Sequence, residues 1–184
     1  MQIKSTGIEE LVEIIPPVYN DDRGWFTEFY KEEEFRKHNL NYTFLQENKS
    51  FSKKGVIRGL HMQLEPFAQA KLVSVIHGKV LDVVVDLRRG SETFAKVYYC
   101  ILDSTVHNML MVPAGFAHGF AALEDSIFFY KCSQPYNKAS ETGLIWNDPQ
   151  LDIDWQVVKP IISDKDQQLP TLEELLRKSV ISRN

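Results

Sequence analysis

The stretch "KLVSVIHGKVLDVVVDL", Lys71 to Leu87, constrains the fold of this chain more than any other. Two runs rich in β-branched residues flank His77-Gly78, and such side chains favour extended backbone. A glycine between two runs of this kind predicts a hairpin. Similar runs follow, "KVYYCILD", "MLMVP" and "SIFFYKCS", separated by turn residues at Asp103-Ser104, Pro113-Ala114-Gly115 and Glu124-Asp125. Upstream, "GWFTEFY" alternates and is rich in aromatics, while Pro16 and Pro17 confine "LVEIIPPV" to an edge or a strand end. Short strands at regular spacing predict an antiparallel sandwich or barrel.

Two helices interrupt this pattern. "KEEEFRKHN" is short and charged, as a surface connector would be. "TLEELLRKSV" follows Pro170 and opens on a Thr171…Glu174 capping box, which predicts a C-terminal helix. The segment Tyr136 to Pro160 is the least regular; with Trp146 and Trp155 as anchors, it is expected to pack against the barrel and to close one mouth. A chain of 184 residues without repeats or low-complexity linkers fits one domain spanning 1–184.

A net charge of −4 and no basic cluster argue against nucleic acid, so an anionic ligand would need a local group of cations. Cys100 and Cys132 both lie in apolar runs and read as buried thiols of a reducing compartment. The N-terminal stretch lacks the apolar core of a signal peptide. His77, Lys79, Asp82 and Asp86 break the longest hydrophobic run too often for a membrane span, so a cytoplasmic location is expected.

"VIRGLHMQ", Val56 to Gln63, is too polar for a strand that only packs a core. Arg58 and His61 are three residues apart, and a regular strand would put them on opposite faces. Gly59 between them could supply a bend or bulge. Arg58, Gln63 and Lys71 crowd His61, and polar groups meeting inside a barrel are either mutually satisfied or kept for a ligand. In "NDDRGWFTEFY", Arg23 and Glu28 differ in parity, so one of them should face a ligand or a dimer partner. The planar guanidinium fork suits phosphate oxygens, which makes Arg23 and Arg58 candidates for a diphosphate. In "LQENKSFS", Gln46 and Asn48 share a face and suit either a base edge and sugar hydroxyls or plain solvent. Asp164, Lys165 and Asp166 sit in a polar loop whose position relative to His61 the sequence leaves open.

"VPAGFAHGF", Val112 to Phe120, has the P-x-G-x-x-H pattern of the second motif of cupins, small jelly-roll barrels, with His118 as its histidine. Metal-binding cupins have a second histidine where Gln63 stands, and an amide carbonyl is a poor transition-metal ligand, so no metal is expected. Glu65 lies beside Pro66 in a turn, His77 and His107 read as surface residues, and His38 carries no signal.

Together, "DDRGWFTEFY", "QENKS", "IRGLHMQ", "QAKLV", "VVVDLRRGSETF", "VPAGFAHGF", "YKCS", "ETGLIWNDP" and "SDKD" resemble the dTDP-4-dehydrorhamnose 3,5-epimerase family, in family order from about residue 21 to 166. The chain departs from the family at "TFAK" and "DWQ", where a glycine and a proline are usual. The resemblance implies an all-β, cupin-type antiparallel jelly-roll barrel with short peripheral helices and a C-terminal helix. It also implies a homodimer with N-terminal strands exchanged or packed across subunits. The expected ligand is a dTDP-linked 4-keto-6-deoxy sugar, with no nucleic acid, membrane, metal or redox cofactor involved. By motif, His61 resembles the general base, Asp166 its orienting carboxylate, Tyr130 the acid on the opposite sugar face and Lys71 the cation beside the enolate oxygen. His118 resembles a further sugar contact. Arg23, Glu28, Gln46, Glu47, Asn48, Arg58, Glu141 and Lys165 match the remaining binding positions.

The expected reaction is inversion of carbon-3 and carbon-5 of dTDP-4-dehydro-6-deoxy-glucose through an enolate. An alternative is inversion of only one of those carbons. A metal cupin and a non-catalytic sugar-binding jelly roll are further rivals, disfavoured by Gln63 and by the retention of base, acid and lysine together.

Overall fold

The computed structural model describes residues 1–177. Its strands are β1 (Gln2–Ser5), β2 (Val12–Ile15), β3 (Val18–Asp21), β4 (Gly24–Thr27), β5 (Gln46–Ser52), β6 (Ile57–Gln63), β7 (Lys71–His77), β8 (Lys79–Asp86), β9 (Val97–Asp103), β10 (Met109–Val112), β11 (Phe116–Ala122), β12 (Ser126–Cys132) and β13 (Glu141–Gly143). Helix α1 (Glu32–Lys37) follows β4, and a 3-10 turn (Asp166–Gln168) precedes α2 (Leu172–Arg177). One sheet runs β1-β2-β10-β7-β12-β5 and the other β13-β6-β11-β8-β9, while β3 and β4 form a separate ribbon. All named pairings are antiparallel. Two sheets face to face, with short helices outside, make the expected jelly-roll barrel.

The expected hairpin at His77-Gly78 does not form. β7 pairs with β10 and β12 in one sheet, whereas β8 pairs with β9 and β11 in the other. Gly78, at φ +79°, carries the chain around the corner between sheets, and a Cβ there would collide with the Asp125 carbonyl oxygen. The turn residue was legible in the sequence; the partners of the strands it joins were not. Pro16 and Pro17 do end β2, which is an interior strand of its sheet.

Side-chain alternation sorts the strands into three apolar layers. Val73, Val75, Val80, Val84, Phe116, Phe120 and Phe128 meet between the sheets. On β8 the opposite parity, Leu81, Val83 and Val85, faces outward against Leu144, Trp155, Leu172 and Leu175. Tyr136 and Glu141 at the start of the irregular segment stand at the mouth of the barrel, while from Leu144 onward the segment covers the back of the five-stranded sheet. Trp155 is held there by donating Nε1–H to the Trp146 carbonyl at 2.7 Å. Outside the six-stranded sheet, Phe35 of α1 packs with Leu40, Leu72, Met109 and Met111.

The capping box forms: Thr171 Oγ1 accepts from Glu174 N at 3.2 Å, and Glu174 Oε2 accepts from Thr171 N at 3.0 Å. The expected helix beyond Arg177 lies outside the described residues. Cys100 and Cys132 are free and buried. No helix among the described residues is long and apolar enough to cross a membrane.

Candidate active site

At one end of the space between the sheets the packing opens into a cavity of about 520 Å³. Both Arg58 and His61 line it, and the reason lies in the register of β6. His61 opposes His118 on β11 and Arg58 opposes Phe120, so three steps on β6 match two on β11. The extra residue is a bulge at Gly59, which resets the alternation and turns both side chains inward. Gly59 has φ +119°, and a Cβ there would lie 2.6 Å from Gly119 Cα. Only glycine suits that position.

Asp166 reaches His61 across 105 residues of chain. The segment before it is tied alongside β6: Ile57 N donates to Ile161 O at 3.0 Å, and Ile161 N donates to Gly55 O at 2.9 Å. The Asp166 carboxylate then sits 2.7 Å from His61 Nε2 and accepts from Gly59 N at 3.2 Å. Asp166 N in turn donates to Ser163 Oγ at 3.1 Å. Burial raises the Asp166 carboxyl, but the hydrogen bond and charge of His61, together with Gly59 and Ser163, hold it below the usual carboxylate range. The ring's other nitrogen, Nδ1, is left free of this pair.

The opposite wall is the six-stranded sheet. Lys71 on β7 reaches across and donates Nζ to the His61 carbonyl at 3.4 Å. Burial lowers its ammonium from the ordinary lysine range, opposed by Cys132, Asp82 and Glu141. Tyr130 on β12 also lines the cavity, packed against Phe128. Burial foremost, with Cys132 and Glu141, lifts its phenol above the ordinary value against the pull of Arg58, so it stays a proton donor at neutral pH. Cys132, directly opposite Lys71 in the β7–β12 register, is a wall residue of this cavity as well as a packing residue.

The rim carries the remaining polar groups. Arg58 Nε donates to Ser52 Oγ at 3.0 Å and Nη2 to Phe51 O at 3.1 Å. Gln46 and Asn48 both face the cavity, joined by a 2.9 Å hydrogen bond, so their shared face is the interior one. Lys165 Nζ donates to both Glu141 oxygens at 2.7 Å, and Tyr136 Oη donates to the same carboxylate at 2.8 Å. Gln63 spends its amide on backbone: it donates to Phe67 O at 2.7 Å and Pro135 O at 3.2 Å and accepts from Asn137 N at 2.8 Å. No cluster of three or more His, Cys, Asp or Glu suited to a metal ion occurs among the described residues.

Three expected site residues lie elsewhere in this chain. Arg23 sits at the tip of the β3–β4 ribbon, exposed and paired with Asp21. Glu28 follows that ribbon, where strand alternation has already ended, and pairs at 3.8 Å with Lys31. Glu47 points outward between the inward-facing Gln46 and Asn48 and pairs with Lys131. His107 lies half-exposed at the surface, with its ring 4.2 Å from that of the exposed Trp25.

Three participants escaped the sequence reading. Tyr136 and Ser163 sit in loops with no pattern to mark them. Asp82 did leave a signal: it shares the inward parity of Val80 and Val84 in "VLDVVV", where an acid is out of place. It meets His118 Nε2 at 2.9 Å.

With this geometry known, residues 5–174 match the profile of the family described as dTDP-4-dehydrorhamnose 3,5-epimerase. The chain belongs to that family. The Escherichia coli (strain K12) dTDP-4-dehydrorhamnose 3,5-epimerase is 42% identical over 99% of this chain and 100% of its own. The crystal structure of the Bacillus anthracis str. Ames epimerase with TDP and PPi bound superposes with a TM-score of 0.91, at 42% identity over 93% of this chain and 99% of that one. The Legionella pneumophila Philadelphia 1 dTDP-6-deoxy-D-glucose-3,5-epimerase, in complex with dTDP-4-keto-L-rhamnose, gives 0.93 at 39% identity over 100% and 98%. The two solved structures share this fold across nearly the whole chain.

Proposed function

We propose that this chain is an isomerase that inverts carbon-3 and carbon-5 of dTDP-4-dehydro-6-deoxy-D-glucose, giving dTDP-4-dehydro-L-rhamnose. The observation that carries the chemistry is the His61–Asp166 pair facing Tyr130 from the opposite sheet across one cavity. The full-length likeness to named 3,5-epimerases supports double rather than single inversion.

Abstracting a proton beside a ketone leaves an enolate whose charge settles on oxygen. His61, with Asp166 fixing its Nε2–H, offers the Nδ1 lone pair as base. The Lys71 ammonium stands beside the oxygen that gains the charge; one well-placed donor in a dry site contributes about a hundred- to thousandfold. Inversion needs the proton to return from the other face. Facing sheets lie about 10 Å apart, which leaves room for one sugar ring between a base on one wall and an acid on the other. Tyr130, held protonated by burial, supplies that acid.

The nucleotide end binds at the rim. Arg58 and Lys165 bear on the diphosphate, Gln46, Asn48 and Glu141 on the nucleoside or sugar, and His118 on the sugar. Remote binding energy of this kind positions the reacting carbons. We assign Arg23 and Glu28 to the same ligand through a homodimer in which the β3–β4 ribbon of one protomer serves the cavity of the other. The exposed Trp25 and Phe26 of that ribbon support this reading. Two unpaired buried cysteines fit a cytoplasmic setting.

The test is incubation of dTDP-4-dehydro-6-deoxy-glucose with the protein in heavy water, followed by reduction and stereochemical analysis. Deuterium at both carbon-3 and carbon-5, with the L-rhamno product, is expected. Label at one carbon alone, or none, rejects the assignment.

A further inference from the structure

β8 carries two buried carboxylates on its inner face, and they are treated differently. Asp86 accepts from Arg88 N and Nε at 3.0 Å, from Arg88 Nη2 at 2.9 Å, and from Ser91 and Thr93 hydroxyls at 2.7 Å. That is how a structural acid is satisfied when solvent is excluded. Asp82, four residues earlier and equally buried, has a single side-chain hydrogen bond among the described residues, Oδ2 to His118 Nε2 at 2.9 Å. Its Oδ1 has no hydrogen-bond partner among the described residues. A core carboxylate kept with one oxygen bare is costly, and what it gains is a grip on one imidazole.

The grip has a counterpart. His118 is the direct cross-strand partner of His61, so the two rings stand side by side on one wall of the cavity. Each ring is fixed through Nε2 by a carboxylate behind it, Asp166 for His61 and Asp82 for His118. A carboxylate oxygen that accepts at Nε2 leaves the hydrogen on Nε2 and the lone pair on Nδ1. Phe128 lies along the His118 ring, with centroids 6.1 Å apart, and limits its rotation.

We propose that Asp82 is a positioning residue that locks His118 in the Nε2–H tautomer, so that its Nδ1 accepts a hydrogen bond from a ring hydroxyl of the sugar and selects hydroxylated over deoxygenated substrates. This rests on the epimerase reading of the same cavity. His118 is then a reader of the sugar, while His61 beside it works on carbon.

The test pairs a variant with substrate analogues. Asp82→Asn keeps the size of the side chain but lets an amide N–H face Nε2, which favours the other tautomer and turns the acceptor into a donor. Deuterium uptake is measured for dTDP-4-dehydro-6-deoxy-glucose and for its 2-deoxy and 3-deoxy analogues. The native protein should prefer the parent over one analogue by about tenfold or more in kcat/KM, the worth of one buried hydrogen bond. In Asp82→Asn that preference should fall below about threefold. Equal preference in both proteins overturns the proposal. A native protein that exchanges nothing overturns the epimerase reading instead. A further arm needs no variant: 15N NMR of the native protein with dTDP bound should show His118 protonated at Nε2 and bare at Nδ1, and the reverse tautomer overturns the proposal.

Discussion

Inside the barrel and out on the N-terminal ribbon, the same residue types meet different fates. Arg58 is held at the cavity rim by Ser52 and the Phe51 carbonyl. Arg23 is held only by Asp21, two residues away, at the exposed tip of the ribbon. His61 meets a carboxylate 105 residues distant, whereas Glu28 meets Lys31 just along the chain. The interior groups are thus brought together by long-range contacts that only the folded barrel supplies. The ribbon is built from local contacts, and its aromatic side chains Tyr19, Trp25 and Phe26 stand more than half exposed. Interior groups should therefore govern chemistry, and ribbon groups should govern binding through a neighbour.

Substitutions on the two sides should separate these roles. Asp166→Asn should have the larger effect, lowering kcat by between about a hundredfold and ten-thousandfold through the wrong His61 tautomer, with dTDP affinity held within about threefold. Tyr130→Phe should come next: inverted product should fall about a hundredfold, while deuterium wash-in falls far less, because only reprotonation on the far face loses its acid. Equal loss of wash-in and product would reject a separate acid. Arg23→Ala should be milder. It should weaken dTDP binding by about three- to tenfold, as one exposed charged contact does, and leave kcat at saturation unchanged. Native-level affinity in that variant would break the assignment of the ribbon to the ligand.

Acid should distinguish the regions more subtly. The Asp166 carboxyl is depressed in the folded state, so its ionised form stabilises the fold above the ordinary carboxyl value of about 3.9. That contribution fades as pH falls through the depressed value. The stability gap between native protein and Asp166→Asn should therefore hold at neutral pH and close in acid below about pH 4. Urea titrations across that range measure it, and a gap that widens in acid would contradict the pairing.

The sequence showed the contents of the site better than its construction. Alternation in β5 pointed Gln46 and Asn48 to one face, and the odd spacing of Arg58 and His61 called for a bend at Gly59, which the bulge provides. The hairpin expected at Gly78 failed because a local turn signal does not say which sheet receives the next strand. Asp166 could be attached to His61 only through family resemblance, since the parallel bridge between Val56 and Ile161 that brings it there leaves no periodic trace. Asp82 was visible as an acid among valines, but its partner His118 lies on another strand and depends on the β8–β11 register.

The central claim is that one imidazole removes hydrogen from carbon, and His61→Ala addresses it most directly. Incubated in heavy water with dTDP-4-dehydro-6-deoxy-glucose, this variant should incorporate no deuterium at either carbon while dTDP still binds within about threefold of the native affinity. Label entering either carbon at a rate near that of the native protein would show that the base is another group.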